Sequence, residues 1–258
     1  MPMHRRRTRA IAILSALLLC APRGARAQDA RDPHAAQPER PTVATHAGTV
    51  APGWFEMETG VERDRVDAGA SALSTPTTLK LGLASHVQLG IVLTTVRPPA
   101  PSAFGPGDAA VDVKWRLTDG APFIGDFALQ PGLKLPTGAS RAGRGTGTTD
   151  ASLLAISSHV IGPVALDVNL GVTRHSDGTD AALWTVSTGT AIDGPLAWAA
   201  EVFGYPGFAA APAVGFLTGP TWTVHPWFVA DLGLIVNVAG PQPPALYAGL
   251  TWNVGRLP

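Results

Sequence analysis

Apolar and polar residues alternate with a period of two along most of the chain after residue 50. Segment 110–117 (AVDVKWRL) shows the pattern most clearly, with its valines, tryptophan and leucine on one face and its aspartate, lysine and arginine on the other. Segments 86–95, 127–135, 164–173 and 228–236 repeat it. Because successive side chains of a β-strand point to opposite faces, the alternation predicts many strands with one apolar and one polar face.

Turn signals rich in Gly, Pro, Asp and Asn divide this region into twelve predicted strands. Their joints alternate in length, as in outer-membrane barrels with short periplasmic turns and longer outer loops. A soluble periplasmic β-sandwich, the all-β alternative, gives no reason for this alternation. We therefore predict an all-β fold, a closed antiparallel transmembrane β-barrel of about 12 strands. The predicted strands are 53–64, 76–85, 86–97, 107–117, 122–135, 150–161, 163–174, 182–193, 195–205, 211–218, 221–236 and 244–254.

The predicted joints form a long group and a short group. The long joints are 65–75, 98–106, 136–149, 175–181, 206–210 and 237–243. The short joints centre on Ser85-His86, Asp119-Gly120, Gly162-Pro163, Asp193-Gly194 and Gly219-Pro220.

Two prolines, Pro131 and Pro226, fall inside predicted strands. We expect them at bulges or at the rim, because proline removes a main-chain donor.

The first residues differ from everything that follows. An arginine-rich start, an apolar run over 11–20 and small residues at Ala25 and Ala27 predict a secretory signal peptide over residues 1–27. The apolar run is too short for a transmembrane helix. A lipoprotein alternative at Cys20 is disfavoured by the bulky leucine before it. Residues 28–50, rich in Pro, Ala and charge, are predicted to be a flexible lead-in, and residues 51–258 the outer-membrane barrel.

Charge and composition narrow the function. Removal of the predicted signal peptide takes away six of the 19 basic residues and none of the 19 acidic ones, which excludes a nucleic-acid-binding surface. The single cysteine lies in that peptide, so no thiol or disulfide chemistry is expected in the mature chain. The seven histidines show no metal-ligand spacing, and we expect no cofactor.

The charged residues on the polar strand faces are the candidate site. In a barrel these faces line the lumen, where acids and bases can neutralise each other across the space. We expect a narrow, charge-lined lumen that passes small solutes passively across the bacterial outer membrane. The predicted lumen-lining residues are Glu56, Glu58, Lys80, Asp112, Lys114, Arg116, Asp126, Lys134, Asp167, Glu201 and Asp231.

Other features are assigned structural roles. The seven tryptophans are spread among the strands and are expected to form interfacial girdles more than to stack a solute. The Gly-rich loop 141–150 lacks the phosphate-loop pattern, and its arginines could contact lipopolysaccharide. Ser157 and His159 share a strand face, but no acid is paired with them, so we predict that the protein is not an enzyme.

Three segments carry a resemblance to a known family. GWFEMETG near residue 53, GPGDAAVDVKWRL at 105–117 and LQPGLKLPTG at 129–138 resemble an outer-membrane transporter family grouped with the meta-pathway of phenol degradation. The resemblance extends over about residues 50–254 and implies a transport barrel, with small aromatic or hydrophobic solutes as candidates. The final strand, ALYAGLTWNV, resembles the C-terminal signal read by the barrel-assembly machinery, although the tail beyond it departs from that pattern.

Two alternatives within the barrel fold stay open. The first is a plugged barrel with a structural or adhesive role, its lumen closed by paired charges. The second is a barrel that hydrolyses lipids. The expected partners are outer-membrane lipid, lipopolysaccharide, the barrel-assembly machinery and a small-molecule solute.

Overall fold

The structure is a closed, antiparallel β-barrel. The computed structural model describes residues 32–67, 70–99, 103–207 and 211–258, where twelve long strands, one two-residue strand and one short 3₁₀ helix occur. The predicted signal peptide, residues 1–27, lies outside these residues. The strands are β1 (Trp54–Asp67), β2 (Ala70–Ala84), β3 (Val87–Arg97), β4 (Gly105–Pro106), β5 (Ala109–Ala121), β6 (Gly125–Leu135), β7 (Asp150–Ile161), β8 (Val164–His175), β9 (Asp180–Asp193), β10 (Leu196–Tyr205), β11 (Ala213–His225), β12 (Phe228–Ala239) and β13 (Ala245–Arg256). The 3₁₀ helix is Ser140–Ala142.

Hydrogen bonding between the first and last strands closes the barrel. Each long strand pairs with its neighbour along the chain, and β13 returns to pair with β1 in the register Gly60 to Gly249. The short β4 adds two residues to the edge of β3, which also pairs with β5. Closure satisfies the main-chain groups that an open sheet would leave at its edges. The prediction of a closed antiparallel barrel of about 12 strands is therefore confirmed.

The two ends of the barrel differ in their connections. Short turns join β2–β3, β5–β6, β7–β8, β9–β10 and β11–β12, and we call this the short-turn end. The barrel also starts and finishes there, because Trp54 pairs with Arg256. Residues 136–149 and 103–108 belong to the opposite, long-loop end. One predicted long joint is wrong: only residues 68–69 separate β1 from β2, because both strands extend beyond their predicted limits.

The predicted turn at Gly219-Pro220 is also wrong. Strand β11 runs through both residues, and the turn lies at Pro226-Trp227. The pairing of β11 with β12 has no partners between Thr218 and Thr221, whereas Pro220 pairs with Trp198 of β10 on its other side. Proline cannot donate to a ladder, so a strand tolerates it where a pairing is interrupted. A Gly-Pro pair therefore marks a gap in the ladder here, while the second proline, Pro226, marks the turn.

The outer surface is a band of apolar side chains. On β8, Leu170 and Val172 are each more than half exposed, while Asn169, which directly precedes Leu170, is fully buried. Exposed tryptophans lie near the short-turn end, where Trp115 pairs with the first residue of β3 and Trp252 with the first residue of β12. An apolar band flanked by aromatic residues is the surface that a bilayer requires. Within the described ranges, no helix is long and apolar enough to cross a membrane.

Residues 32–52, which we call the N-terminal segment, lie inside the barrel. The expectation of a flexible lead-in over 28–50 does not hold for residues 32–50, because the lumen wall hydrogen-bonds their main chain and Ala36, Ala47 and Val50 have no exposed surface. A composition poor in apolar residues predicts disorder only for a segment that finds no partners. The segment follows the inside of the wall, from β1 past β12, β10, β8 and β7 to β3.

Candidate functional site in the barrel lumen

Strands β1 and β2 place three predicted residues together on the wall. Glu56 and Glu58 share the inner face of β1, and Glu56 is directly opposite Lys80 on β2. The Lys80 Nζ atom lies 3.2 Å from Glu56 Oε1 and 2.5 Å from Glu58 Oε1. The Lys80 and Glu56 side chains have no exposed surface. Charges so deeply buried need such partners, because each ion loses its hydration.

Glu39 of the N-terminal segment connects this group to a second buried lysine. Its carboxylate lies 3.5 Å from Lys80 Nζ and also accepts a hydrogen bond from Lys114 on β5. The remaining described hydrogen bonds of Lys114 are donated to Thr45 Oγ1 at 2.8 Å and to the His46 carbonyl oxygen at 2.9 Å. Lys80 therefore has carboxylate partners on the wall itself, whereas the polar contacts of Lys114 come from the segment.

Arg40 forms a third ion pair between segment and wall. Its Nε atom donates to Asp231 Oδ2 on β12 at 3.2 Å. The guanidinium fits between the paired glycines Gly60 and Gly249, where a Cβ atom would lie 2.7 Å or less from its nitrogen atoms. Tyr247 packs beside it, with its ring centre 5.4 Å from Arg40 Cζ. Two strands thus provide a notch that only glycine leaves open.

Glu201 on β10 binds the main chain of the segment instead of a cation. Its two carboxylate oxygens accept hydrogen bonds from the Val43 and Ala44 N–H groups at 2.7 and 2.8 Å. Asn169 on β8 continues the series, because its side-chain amide accepts from the Thr45 N–H and donates to the Thr45 carbonyl oxygen. Both wall side chains are almost completely buried.

Two further predicted residues make contacts within the wall. Asp112 on β5 accepts a hydrogen bond from Gln130 Nε2 at 2.8 Å, and Asp167 on β8 accepts one from Ser158 Oγ at 2.5 Å. Ser158 Oγ in turn accepts the Ala47 N–H at 2.8 Å. Asp167 therefore reaches the segment through Ser158.

The last three predicted residues lie toward the ends of the barrel. At the short-turn end, Arg116 Nε lies 3.1 Å from Asp119 Oδ1, and Asp126 accepts the Gly120 N–H at 2.7 Å. Lys134 lies toward the long-loop end. The structure thus brings eight of the eleven predicted residues into the middle of the lumen or against the segment, and leaves three nearer the mouths.

Lys134 belongs to a rim cluster with Asp108, Asp150 and His175. Its Nζ atom lies 3.1 Å from Asp108 and 2.8 Å from Asp150, and His175 Nδ1 lies 2.8 Å from the other Asp150 oxygen. Asp108 also accepts main-chain hydrogen bonds from loop 136–149. Desolvation acts to raise the pKa of Asp108, but these hydrogen bonds and Lys134 outweigh it and lower the pKa from its usual value. The cluster fastens the loop to the rim.

Ser157 and His159 do contact each other, as their shared face suggested. Ser157 Oγ lies 3.0 Å from His159 Nε2, but it donates its hydrogen bond to the Ile124 carbonyl oxygen at 2.8 Å. The neighbours Ile156 and Ser158 contact the segment inside the barrel, so Ser157 and His159 lie on the outer face. A hydroxyl that donates to a carbonyl oxygen cannot at the same time give its proton to the imidazole.

Several residues of the site escaped the sequence-based prediction. Glu39 and Arg40 stand in a segment that was predicted to be flexible, and the main-chain groups of that segment carry no sequence signal at all. The neutral wall residues Asn169, Gln88 and Asn253 were passed over because only charge was used to select candidates. Their position on the polar faces of predicted strands was the signal that could have found them.

Comparisons with known proteins agree on the fold. An outer membrane channel from Pseudomonas putida F1 superposes with a TM-score of 0.58 at 11% identity, over 80% of this chain and 97% of that one. The NanC porin gives 0.52 at 10% identity, over 78% and 100% of the two chains. The KdgM porin gives 0.51 at 8% identity, over 76% and 98%. No protein-family model and no curated protein sequence matches the chain.

Proposed function

We propose that the protein is an outer-membrane channel for the passive movement of small solutes. One observation carries the proposal: a single closed barrel combines an apolar outer band with an interior of buried charges and amides. That combination suits a protein that holds a polar path through a bilayer. The similar barrels are described as a channel and as porins, which supports the same reading.

The N-terminal segment determines what can pass. It takes up lumen space between β1, β12, β10 and β7, so the described conformation is a restricted state of the channel. Both ends of the segment are at the short-turn end, where the His34 and Trp54 rings lie 5.0 Å apart. A segment that enters and leaves by the same mouth can withdraw as a loop, without threading through the barrel. We propose that solute flow increases when it withdraws.

Sequence motifs support proposals about the family, the solute, export and membrane contacts. The chain would belong to the transporter family associated with the meta-pathway of phenol degradation, with small aromatic or hydrophobic solutes. Residues 1–27 would direct export, the final strand would engage the barrel-assembly machinery, and Arg141 and Arg144 would contact lipopolysaccharide. We propose no catalytic role, because the Ser157 hydroxyl already donates to a main-chain carbonyl group.

Liposome swelling tests the channel proposal directly. The refolded protein is placed in liposomes, and swelling is followed in small solutes of graded size and charge. We expect size-limited swelling that is slow for the native chain, and a change in charge preference for Lys114→Glu or Asp112→Lys. Swelling equal to that of protein-free liposomes, for native and Glu39→Lys chains that are both folded, would contradict the proposal.

A second candidate is a permanently sealed barrel with a structural or adhesive role. The occupied lumen favours it, because three ion pairs and many main-chain hydrogen bonds hold the segment. The Glu39→Lys variant distinguishes the two candidates. Its solute flux should rise if the protein is a channel and should stay unchanged if the barrel is permanently sealed.

A further inference from the structure

The lumen wall contacts the main chain of the N-terminal segment much more than its side chains. Within the described residues, wall side chains accept hydrogen bonds from seven main-chain N–H groups of the segment. Wall side chains also donate to six of its carbonyl oxygens. The accepting side chains are Glu56, Glu58, Gln88, Ser158, Asn169 and Glu201; the donating ones are Lys80, Lys114, Asn169, Tyr247 and Asn253.

Such contacts use groups that every peptide has. A buried N–H or carbonyl group requires a partner whatever side chain it carries. In complexes where a peptide adds a strand to a sheet, main-chain hydrogen bonds likewise provide affinity and side-chain pockets provide selectivity. Here wall side chains, instead of a strand edge, provide the partners. The wall can therefore bind an extended chain with little regard to most of its sequence.

The contacts are densest over residues 43–46. Glu201 accepts two successive N–H groups, and Asn169 both accepts from and donates to the next residue, Thr45. Lys114 then donates to the His46 carbonyl oxygen at 2.9 Å. A peptide of about four residues could make the same set of hydrogen bonds, because each involves only main-chain atoms of the segment.

Two charged residues of the segment fix its position on the wall through three ion pairs. Glu39 lies between Lys80 and Lys114, and Arg40 reaches Asp231 through the notch between Gly60 and Gly249. These are the side-chain charges by which the wall can prefer one peptide over another. An acidic residue followed by a basic one, a few residues before the stretch held by Glu201, matches their spacing.

We propose that the lumen wall is a binding site for short peptides in extended conformation, which take the place of the N-terminal segment when it withdraws. This deepens the proposed function and rests on it, since it names a class of ligand for the same lumen. The preferred peptides carry an acidic-basic pair, and their main-chain groups provide most of the hydrogen bonds.

The test uses the full chain with its own segment weakened. In the double variant Glu39→Lys/Arg40→Glu, the new charges of the segment repel Lys80, Lys114 and Asp231. The residues of the wall are unchanged. The neutral variant Glu39→Gln/Arg40→Gln provides a second, milder release, and resistance to SDS before heating shows that each barrel is folded. The probe is a fluorescent synthetic peptide with the sequence of residues 32–52, followed by fluorescence anisotropy.

Three altered peptides separate main-chain from side-chain recognition. The first is N-methylated at the positions of Val43 and Ala44, whose N–H groups bind Glu201. The second carries the same number of methyl groups at the positions of Thr42 and Thr49, whose N–H groups make no described hydrogen bond. The third keeps the acidic-basic pair and the prolines and has alanine at all the remaining positions.

We expect saturable binding of the parent and alanine peptides to both variants, with dissociation constants within about tenfold of each other. Methylation at positions 43 and 44 should weaken binding by at least about tenfold, and methylation at 42 and 49 by much less. The native chain should bind the peptide more weakly, because its tethered segment competes at high effective concentration.

Absence of saturable binding to both folded variants, or an equal loss from the two methylation patterns, would overturn the peptide site. Solute flux through the same variants, measured without peptide, distinguishes failure of the peptide site from failure of the channel proposal. Flux without peptide binding overturns the peptide site alone. Peptide binding without flux supports the site and overturns the channel.

Discussion

The middle of the lumen and the rim at the long-loop end each hold a lysine paired with more than one acidic residue, but water reaches only the lysine at the rim. Lys80 and Lys114 have no exposed side-chain surface, whereas the Lys134 side chain at the rim is 22% exposed. At the rim, solvent can replace a lost partner, so each ion pair contributes little. In the middle, a lost partner leaves an uncompensated buried charge. The same pairing of residue types therefore fastens a loop at one place and holds the N-terminal segment at the other.

The comparison predicts its largest effect at Lys80. Lys80→Met removes the ammonium group shared by Glu56, Glu58 and Glu39, and should lower the free energy of unfolding by about 3–5 kcal/mol. Urea unfolding in detergent micelles measures it. Lys114→Met is the matched control, because Glu39 then keeps Lys80 as its partner. An equal loss for the two variants would contradict the distinction between wall-held and segment-held charge.

Reversal of the segment charge should come next. Glu39→Lys places three cations together in a buried site, and we expect the segment to withdraw and solute flux in liposomes to rise severalfold. The double change Glu39→Lys/Lys114→Glu restores one attraction and should bring the flux part of the way back. Asp177→Lys in the exposed β8–β9 joint is the control for charge alone. Flux unchanged in the single variant would show that Glu39 does not hold the segment.

The glycine notch should give an intermediate effect. A Cβ atom at Gly249 would lie 2.4 Å from Arg40 Nε, so Gly249→Leu should displace the guanidinium from Asp231. We expect a loss of about 1–3 kcal/mol in the unfolding free energy, and a rise in flux similar to that of Arg40→Met. Gly189→Leu, where a Cβ atom meets nothing within 4 Å, is the matched control in a strand. Equal losses of unfolding free energy in the two variants would mean that leucine destabilises the strand itself and that the Arg40 notch makes no separate contribution.

The smallest effect is expected at the rim. Lys134→Met removes a partly exposed lysine, and Asp108 keeps two main-chain N–H partners while Asp150 keeps His175. The change should therefore cost less than about 1 kcal/mol in the unfolding free energy. The loop over residues 136–149 should become more accessible to protease, while flux stays near the native rate. A loss of unfolding free energy as large as that of Lys80→Met would contradict the expected difference between the ion pairs in the middle of the lumen and those at the rim.

The sequence predicted the fold better than the site. Period-two alternation in segments such as 110–117 is a direct consequence of strand geometry, so strand number and the polar face could be predicted. The prediction of a turn at Gly219-Pro220 was wrong because a Gly-Pro pair is compatible with both a turn and an interrupted ladder. The prediction that the N-terminal segment is flexible was wrong for a different reason. Its partners, such as Asn169 and Glu201, are more than one hundred residues away, and its own contribution is mostly main chain.

The path of the N-terminal segment along the inside of the wall has a consequence for the order of assembly. Its contacts run from β1 to β12 and β13, so the surface that receives it exists only after the last strand has paired with the first. Docking must therefore be a late event in folding, although the segment precedes every strand in the chain. A docked segment would then report that the barrel has finished closing.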